Sequence, residues 1–458
     1  MGVFDALKDF GDRLSKWTIR WIPDHWIVAL ILTGIVFVAA IIWGEVSYNP
    51  LTVIKAWGNG FWVLLTFAMQ MCLILLLGYI IAVSKPVDSF LDWLASKPNP
   101  DKPWQAIFLM GIVTNVLAFI NWGLSIVGAA VFTISLARRQ KKLDFRLLLA
   151  TAYLGLGTIW HAGLSASAPL MVSTEDNFLI KQGLLPGIIS TSQTLFSSWN
   201  LTMLVFMILF TAAFMAAMHP PKEKTLVLPE DRLDKVKKFE IPEKPKGKLS
   251  PAERMEWWPG WNIGVFAAVI IYSLWWFGQK GFAGLNLNSI NLLFLGFGAL
   301  FHWRPVPFMR AAEEGCRRIW GIVIQFPFYA GIFGMLKFTA LATKITGIFI
   351  TVASPRTFPV LSYWAAGILN YFVPSGGSEW VITSPILLEA AQSLGVSNAT
   401  AVIAYAWGDM ATDVIQPFWA IALCEITGIK FREMMGYAIA VFIPYVILVS
   451  IALLFIPL

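Results

Sequence analysis

Charge is the property in shortest supply in this sequence. Only 13% of its 458 residues are Asp, Glu, Lys or Arg, about half of the ~25% that is usual in a soluble domain. Its three cysteines show no CxxC spacing and its four histidines are scattered, which excludes a disulfide framework and gives no zinc pattern. The motifs HExxH and GxSxG and a phosphate-binding loop are missing, so neither a zinc protease, a serine hydrolase nor an ATP-driven pump is predicted.

Apolar residues are abundant instead. They make up 57% of the chain and include 22 Trp and 34 Phe, and aromatic residues are frequent at membrane interfaces. This composition predicts a polytopic membrane protein. The net charge of +7 does not indicate nucleic-acid binding, because the basic residues lie in short loops between apolar runs, as in the cytoplasmic loops of membrane proteins.

Nine apolar runs are long enough to cross the ~30 Å hydrocarbon core of a bilayer as helices. They are residues 27–44, 59–83, 147–172, 199–218, 261–277, 282–301, 319–342, 399–425 and 434–457. Residues 1–26 differ, because basic residues there alternate with apolar ones at helical spacing. That segment predicts an amphipathic helix lying on the membrane surface.

Two further apolar stretches, 104–137 and 357–394, do not fit as single crossings. The first would be about 50 Å long as one helix, yet it is too short for two full crossings and a turn. Asn121-Trp122-Gly123 lies near its centre, and Pro374-Ser375-Gly376-Gly377 interrupts the second. Both stretches predict re-entrant hairpins of two half-length helices. With these hairpins, every strongly basic segment falls on the cytoplasmic side and the acidic loop near residue 175 falls outside.

A charged linker at 219–260, rich in Pro, Lys and Glu, divides the chain into two halves of the same plan. Each half, 27–218 and 282–458, shows two crossings, a hairpin, a broken crossing and a final crossing, and the connecting helix in 261–281 inverts the second half. The predicted fold is therefore an all-α polytopic membrane protein with two inverted-topology repeats, nine transmembrane helices and two re-entrant hairpins. Inverted repeats with broken helices are typical of secondary transporters.

The hairpin tips are the predicted substrate site. A helix N-terminus offers N–H groups and partial positive charge, which suit a carboxylate, and no Arg lies within an apolar run. The alternative is that the Gly and Pro residues only permit a kink or close packing. Polar and aromatic residues at and near the tips complete the candidate set. Its members are Asn121, Trp122, Gly123, Ser125, Gln325, Tyr329, Ser375, Gly376, Gly377, Ser378, Gln416 and Phe418.

A second group of polar residues predicts a site for a coupling ion. Asp409, Thr412 and Asp413 share one face of a helix, and a carboxylate at membrane depth predicts a role in cation or proton coupling. The alternative is a solvated vestibule or an ion pair with Lys337. The candidate set is Asn115, Asn370, Asp409, Thr412 and Asp413.

Two titratable residues near these positions receive structural interpretations. His161 lies in the broken helix of the first half, where a hydrogen-bonded packing histidine is favoured over a proton relay. Glu379 follows the second tip within one helical turn, where a helix cap is favoured over a cation ligand.

Several long motifs resemble the short-chain fatty acid transporter family. They are WGNGFW at 57–62, INWG at 120–123, QFPFYAGI at 325–332, PSGG at 374–377 and QPFWA at 416–420. The resemblance spans essentially the whole chain and implies uptake of monocarboxylates such as acetoacetate or butyrate across a bacterial inner membrane. The chain is also similar to the wider ion-transporter superfamily, which implies two hairpins per protomer, a homodimer and elevator-type movement. No cofactor is implied beyond H⁺ or Na⁺ as a coupling ion.

Three classes of function compete for this sequence. A secondary transporter agrees with the discontinuous helices in an inverted repeat. A passive channel or a carrier for another small organic anion is the main alternative. A membrane-embedded enzyme is disfavoured, because paired carboxylates at Asp409 and Asp413 are its only candidate machinery.

Overall fold

The computed structural model describes residues 25–46, 49–227, 239–416 and 431–458, together with single positions, namely Trp17, Arg20, Trp21, Pro23, Trp419, Ala420, Leu423 and Cys424. These residues form helices and turns without a β-strand. Most of the amphipathic segment predicted at 1–26 lies outside the described residues. Phe418, a member of the candidate substrate set, also lies outside them.

The described residues of the first half form a series of helices that begins at His25. The helices are α1 (His25–Trp43), α2 (Pro50–Gly60), α3 (Leu65–Ala82), α4 (Lys85–Ala95), α5 (Pro103–Ile120), α6 (Trp122–Arg139), α7 (Phe145–Thr158), α8 (Ser167–Val172), α9 (Phe178–Lys181) and α10 (Ser198–Ala217). A short 3-10 turn at Trp160–Ala162 separates α7 from α8. A second such turn, Lys222–Lys224, follows α10.

The linker and the second half continue the series. The helices are α11 (Pro251–Glu256), α12 (Gly260–Lys280), α13 (Leu287–His302), α14 (Pro305–Cys316), α15 (Trp320–Phe338), α16 (Leu341–Val352), α17 (Phe358–Asn370), α18 (Gly376–Ser393), α19 (Asn398–Asp413) and α20 (Phe431–Leu453). A 3-10 turn at Gly281–Gly284 joins α12 to α13.

Eight helical stretches of the described chain are long and apolar enough to cross a membrane. Seven of them coincide with predicted crossings, and the eighth is Pro103–Ile120, the first arm of the first hairpin. The crossings expected at 282–301 and 399–425 contain shorter helices, α13 and α19. An all-α polytopic membrane protein is thus confirmed, whereas the count of nine crossings and the inverted orientation of the repeats stay predictions.

The helices of the two halves follow the same order. In the first half α1 to α4 precede the pair α5 and α6, which is followed by the broken helix α7 and by α10. In the second half α13 to α16 precede the pair α17 and α18, which is followed by α19 and α20. The short helices match in length, with 11 residues each in α2 and α4 and 12 each in α14 and α16. Four short connecting helices were missing from the sequence interpretation.

The pair α5 and α6 folds back on itself at one residue, Asn121. The backbone there is extended, with φ −162° and ψ 126°. The two far ends meet, because Gln140 Nε2 donates to the carbonyl of Pro98 at 3.1 Å and Lys142 binds Asp101 at 2.6 Å. The hydrogen bond from Lys142 lowers the pKa of Asp101 in this loop.

The arms of this first pair are longer than expected. Each has 18 residues, or about 27 Å of helix, which is nearly the full thickness of a bilayer core. The expectation of half-length arms is wrong here, because the turn uses a single residue and the arms reach the charged residues Lys102, the N-cap of α5, and Arg139, in the last turn of α6. In the second pair, α17 has 13 residues and α18 has 18.

Glycines hold each broken helix against the first arm of the neighbouring pair. A Cβ at Gly155 of α7 would lie 2.4 Å from the carbonyl oxygen of Thr114 in α5. A Cβ at Gly408 of α19 would lie 2.2 Å from the carbonyl oxygen of Tyr363 in α17. Neither position has room for any side chain, so the backbones touch. This close contact places the polar residues near the end of α17 beside those of α19.

Candidate functional site

The first tip, at Asn121 and Trp122, satisfies its own amides. Asn121 caps α6, since its Oδ1 accepts from the amide of Leu124 at 2.9 Å, while its Nδ2 donates to the carbonyl of Ile74 at 3.2 Å. The amide of Trp122 donates to Ser165 Oγ at 2.9 Å. The N-terminus of α6 therefore has little capacity left for a ligand.

Gly123 and Ser125 beside this tip make packing contacts. A Cβ at Gly123 would lie 3.2 Å from the carbonyl oxygen of Leu75, on helix α3. Ser125 Oγ donates to the carbonyl of Thr114 at 3.0 Å, which ties the two arms together. Their geometry supports the structural interpretation of the first tip, and their membership of a substrate site stays a prediction.

The second tip is more open. Helix α18 begins at Gly376, and Ser375 in the capping position makes no side-chain cap. Ser375 Oγ donates to Ser378 Oγ at 3.1 Å instead. The first N–H groups of an α-helix have no partner within the helix, so the amides of Gly376 and Gly377 are available at this tip. Tyr405 of α19 holds the tip in place, since its hydroxyl donates a hydrogen bond to the carbonyl of Gly376 at 2.7 Å.

Trp160, His161 and Asp409 form the floor under Gly376. A Cβ at Gly376 would lie 2.5 Å from His161 Cε1, 2.7 Å from Asp409 Oδ2 and 2.8 Å from the ring of Trp160. His161 Nδ1 and Asp409 Oδ2 are 2.5 Å apart, and His161 Nε2 accepts from the amide of Ala168 at 3.1 Å. Because Nε2 is an acceptor, the imidazole is neutral and its proton is on Nδ1, facing Asp409. His161 is thus held by two hydrogen bonds, and its aspartate partner links it to the candidate coupling set.

Asp413 has a separate set of hydrogen bonds. Its oxygens accept from Trp160 Nε1 at 3.0 Å, from Asn370 Nδ2 at 3.0 Å and from Gln416 Nε2 at 2.6 Å. Asn370 Nδ2 also lies 3.0 Å from the hydroxyl of Thr412. These three neutral donors hold the carboxyl of Asp413 in one orientation. Four members of the predicted sets, Asn370, Thr412, Asp413 and Gln416, are therefore in direct contact.

Asn115 occupies the equivalent place in the first half. Its Nδ2 donates to Thr211 Oγ1 at 3.0 Å, and its Oδ1 accepts from Thr158 Oγ1 at 3.2 Å. Thr158 ends the broken helix α7, as Asp413 ends the broken helix α19. Asn115 thus has a hydroxyl partner where Asn370 has a carboxylate, and its coupling role stays a prediction.

Glu379 is fully buried and has an unusual environment. Among the described residues neither of its carboxyl oxygens has a hydrogen-bond donor, and the same holds for Oδ1 of Asp409. Asp409 lies against the helical turn that carries Glu379, because a Cβ at Gly376 would lie 2.7 Å from Asp409 Oδ2. A helix cap would receive amide hydrogen bonds, so the cap interpretation of Glu379 is wrong.

A cavity of about 170 Å³ opens beside the second tip. It is lined by Ser375 and Ser378 of the tip, by Gln325 and Tyr329 of α15, and by other residues that include Leu75, Arg318, Phe326 and Trp419. The structure therefore brings together the predicted residues of the QFPFYAGI and PSGG motifs. Lys337 lies elsewhere and donates to the carbonyl of Gln182 and to Gln182 Oε1, so it does not pair with Asp409 or Asp413.

Arg318 was missed by sequence reasoning. It precedes α15, and its guanidinium lies 4.8 Å from the centre of the Tyr79 ring at the edge of the cavity. Its position next to Arg317 indicated only membrane topology, since it lies outside the apolar run. A cation beside a cavity can attract an anion without lying within the membrane.

Aromatic rings connect the two tips. The rings of Trp122 and Trp419 are 5.3 Å apart, and those of Trp122 and Trp160 are 6.2 Å apart. Trp419 Nε1 donates to the carbonyl of Pro374 at 3.0 Å. The two breaks in the chain are thus parts of one buried polar and aromatic centre.

Comparison with known proteins identifies the family of this chain. The sequence profile of the family described as short chain fatty acid transporter matches residues 6–456. The chain belongs to the short-chain fatty acid transporter family. It is therefore a transporter and not an enzyme, and it works on a small-molecule substrate in a membrane.

Two curated family members are similar over most of their length. A protein of Escherichia coli K12, provisionally named a short-chain fatty acid transporter, is 37% identical over 426 residues, which cover 93% of this chain and 94% of the relative. A protein of Haemophilus influenzae with the same provisional name is 34% identical over 440 residues, which cover 94% and 95%. The relatives and this chain thus correspond over nearly their full lengths.

Two solved transporters share the fold of this family member. The YdaH transporter of Alcanivorax borkumensis matches with a TM-score of 0.54 and 13% identity, over 94% of this chain and 98% of that one. MtrF of Neisseria gonorrhoeae, from a class of antimetabolite efflux pumps, matches with a TM-score of 0.51 and 14% identity, over 97% and 96%. At such low identity the likeness concerns the fold alone.

Proposed function

We propose that this protein is a secondary active transporter that takes up short-chain fatty acids, such as butyrate or acetoacetate, across the inner membrane. The observation that carries the proposal is the uncapped N-terminus of α18 beside a small, partly apolar cavity. A short monocarboxylate has one anionic end and one apolar end, and this site offers a partner for each.

The carboxylate end fits the second tip. The amides of Gly376 and Gly377 and the hydroxyls of Ser375 and Ser378 supply donors, and the helix dipole adds about 0.3–1 kcal/mol of favourable energy, or about 2 kcal/mol when partly buried. Arg318 at the edge of the cavity adds long-range attraction. The modest strength of these interactions suits a carrier that must release its cargo.

The apolar end fits the apolar part of the cavity lining. Leu75, Phe326 and Trp419 line it, and each buried methylene contributes about 0.8 kcal/mol. A volume of about 170 Å³ is below the ~300 Å³ at which pockets for drug-sized ligands begin. The size of the cavity therefore favours acids of a few carbons.

The coupling site is proposed beside the second tip, at Asp409, Thr412, Asp413 and Asn370, with H⁺ or Na⁺ as the ion. The proposal includes inverted repeats, re-entrant hairpins, a homodimer and elevator-type alternating access. It is supported by the matching helix order of the two halves and by the discontinuous helices that secondary transporters use at their binding sites.

Counterflow in liposomes tests the proposed function. Purified protein is reconstituted into vesicles preloaded with unlabelled butyrate, and the entry of labelled butyrate is followed without any ion gradient. A carrier gives a transient accumulation of label that saturates with butyrate concentration. A passive channel gives equilibration without an overshoot, and the absence of butyrate entry would contradict the substrate assignment.

A further inference from the structure

Glu379 is a buried acid that belongs to neither the proposed substrate site nor the proposed coupling set. It lies in the first turn of α18, is 0% exposed, and has no hydrogen-bond donor at either carboxyl oxygen among the described residues. A charged carboxylate without donors is strongly disfavoured in a dry interior, whereas a neutral carboxylic acid is tolerated far better. In this environment, Glu379 would be stabilised by a bound cation or by a proton on its carboxyl.

The partner of Glu379 is Asp409. A Cβ at Gly376, in the helical turn that carries Glu379, would lie 2.7 Å from Asp409 Oδ2, and Asp409 Oδ1 is also without a donor among the described residues. His161 Nε2 accepts a hydrogen bond from the amide of Ala168. The Nδ1–H of His161 therefore donates a hydrogen bond to Asp409 Oδ2. Asp409 thus has one donor, the Nδ1–H of His161, whereas Glu379 has none within the described part of the chain, and a proton on Glu379 provides the donor that Asp409 Oδ1 lacks.

The other titratable groups on the helices packed against α18 do not donate a hydrogen bond to Glu379. Those on α19 are Tyr405 and Asp413, those on α15 are Tyr329 and Lys337, that on α16 is Lys344, that on α17 is Tyr363, and α8 has none. Lys337 binds Gln182 and Lys344 lies 3.8 Å from Glu45. The oxygens of Asp413 accept from three neutral donors, Trp160, Asn370 and Gln416, so this carboxyl has hydrogen-bond partners of its own.

A metal ion would need free ligand atoms and space within this cluster. The described residues contain no group of three or more His, Cys, Asp or Glu side chains arranged to hold one. His161 has both ring nitrogens engaged in hydrogen bonds, and Gly376 packs directly on the His161–Asp409 pair. A proton needs no further space.

Building on the proposed function, we propose that the coupling ion is a proton held by Glu379 and shared with Asp409. The proton is on the Glu379 carboxyl while the second tip rests on the Trp160–His161 floor. When the tip leaves that floor, water reaches the carboxyl and takes the proton. Because Glu379 and the substrate amides belong to the same first turn of α18, one movement exposes both the proton and the acid.

Comparison of two transport modes with reconstituted full-length protein tests this proposal. Counterflow of butyrate needs no net proton movement, whereas accumulation driven by an imposed proton gradient does. We expect Glu379→Gln to retain counterflow and to lose proton-driven accumulation. The matched control is Glu389→Gln on the same helix, where the carboxylate accepts from Thr343 instead, and this variant should keep both modes.

The outcomes separate the two levels of the account. Wild-type protein without butyrate counterflow contradicts the proposed function. Wild-type counterflow combined with undiminished proton-driven accumulation in Glu379→Gln overturns the proton assignment, and so does accumulation that follows a Na⁺ gradient at constant pH.

Infrared spectroscopy gives a readout that does not depend on transport. Wild type and Glu389→Gln should show the carbonyl band of a protonated, buried carboxyl at neutral pH, and Glu379→Gln should lack it. If the Gln variant does not fold, Asp409→Asn serves instead, and its band should shift because the acceptor has become an amide. A band that is absent from wild type, retained in Glu379→Gln or unshifted in Asp409→Asn overturns the proposal.

Discussion

Gly376→Ala is the smallest change to which the substrate site should respond strongly. The added Cβ would come within 2.8 Å of three groups, on Trp160, His161 and Asp409. The backbone at Gly376 does not have a positive φ, and alanine favours helix over glycine by about 1 kcal/mol. Any loss must therefore come from these contacts, since the backbone itself would be stabilised.

The magnitude follows from the rigidity of the floor. Trp160 and His161 are buried and hydrogen-bonded to Asp413 and Asp409, so they cannot move aside freely. Overpacking of this kind costs about 1–3 kcal/mol, and such an energy changes the balance between the seated and the displaced tip by about 5- to 150-fold. We expect butyrate counterflow to fall about tenfold or more while protein abundance is unchanged.

Gly377→Ala is the matched comparison. Its Cβ would lie 3.2 Å from the ring of Phe67 and 3.3 Å from that of Phe326, where a small ring movement relieves the contact. We expect its counterflow to stay within about threefold of wild type. Gly347→Ala, whose new Cβ would have no described atom within 4 Å apart from its chain neighbours and its own helix backbone, should have no effect. The measurement is the initial rate of butyrate counterflow per amount of folded protein, with folding checked by gel filtration. A Gly376→Ala carrier as fast as Gly377→Ala would refute the reasoning.

Three further predictions concern coupling, attraction and topology. Asp413→Asn should change the ion or pH dependence of uptake more than protein abundance, because it removes the titratable carboxyl and keeps a side chain of the same shape beside Asn370 and Gln416, and unaltered dependence would remove Asp413 from the coupling site. Arg318→Gln should raise the KM for butyrate about two- to fivefold, as expected of an exposed charge, with less effect at high salt, whereas Arg317→Gln, which removes the arginine paired with Glu314, should not. Single cysteines placed at Lys141 and Ser354 lie at the open ends of the two hairpins. The cysteine at Lys141 should react with impermeant reagents only from the cytoplasm, and the cysteine at Ser354 only from outside. The reverse pattern would contradict the predicted topology.

Much of the fold follows from the hydrophobic pattern. Long uncharged runs such as 199–218 can only be buried or face lipid, so they become helices that match their predicted bounds closely. The short helices were not visible in the pattern. Residues 50–60 contain Lys55 and two glycines. Their hydropathy shows no boundary with the apolar run that follows, so a separate short helix is not predicted. Length alone does not reveal where a helix ends and a new direction begins.

The candidate site was predicted where local chemistry is unusual. Gly and Pro at membrane depth indicated the two tips, and acids at helical spacing indicated Asp409 and Asp413. The difference between the tips could not be predicted, because it depends on a hydroxyl from Ser165, 43 residues away from Trp122. The surroundings of Glu379 and His161 could not be predicted either. Both residues lie beside Asp409 of α19. They come together only because α18 and the Trp160–Ala162 turn both pack against α19.

The central claim is that a short monocarboxylate binds between the second tip and helix α15. A structure of the protein with 4-bromobutyrate tests this claim most directly, because the anomalous signal of bromine locates the apolar end of the acid. The account predicts the carboxylate within hydrogen-bonding distance of the Gly376 and Gly377 amides and the bromine near Phe326. Bromine located outside this cavity, in a protein shown to transport the same acid, would contradict the account.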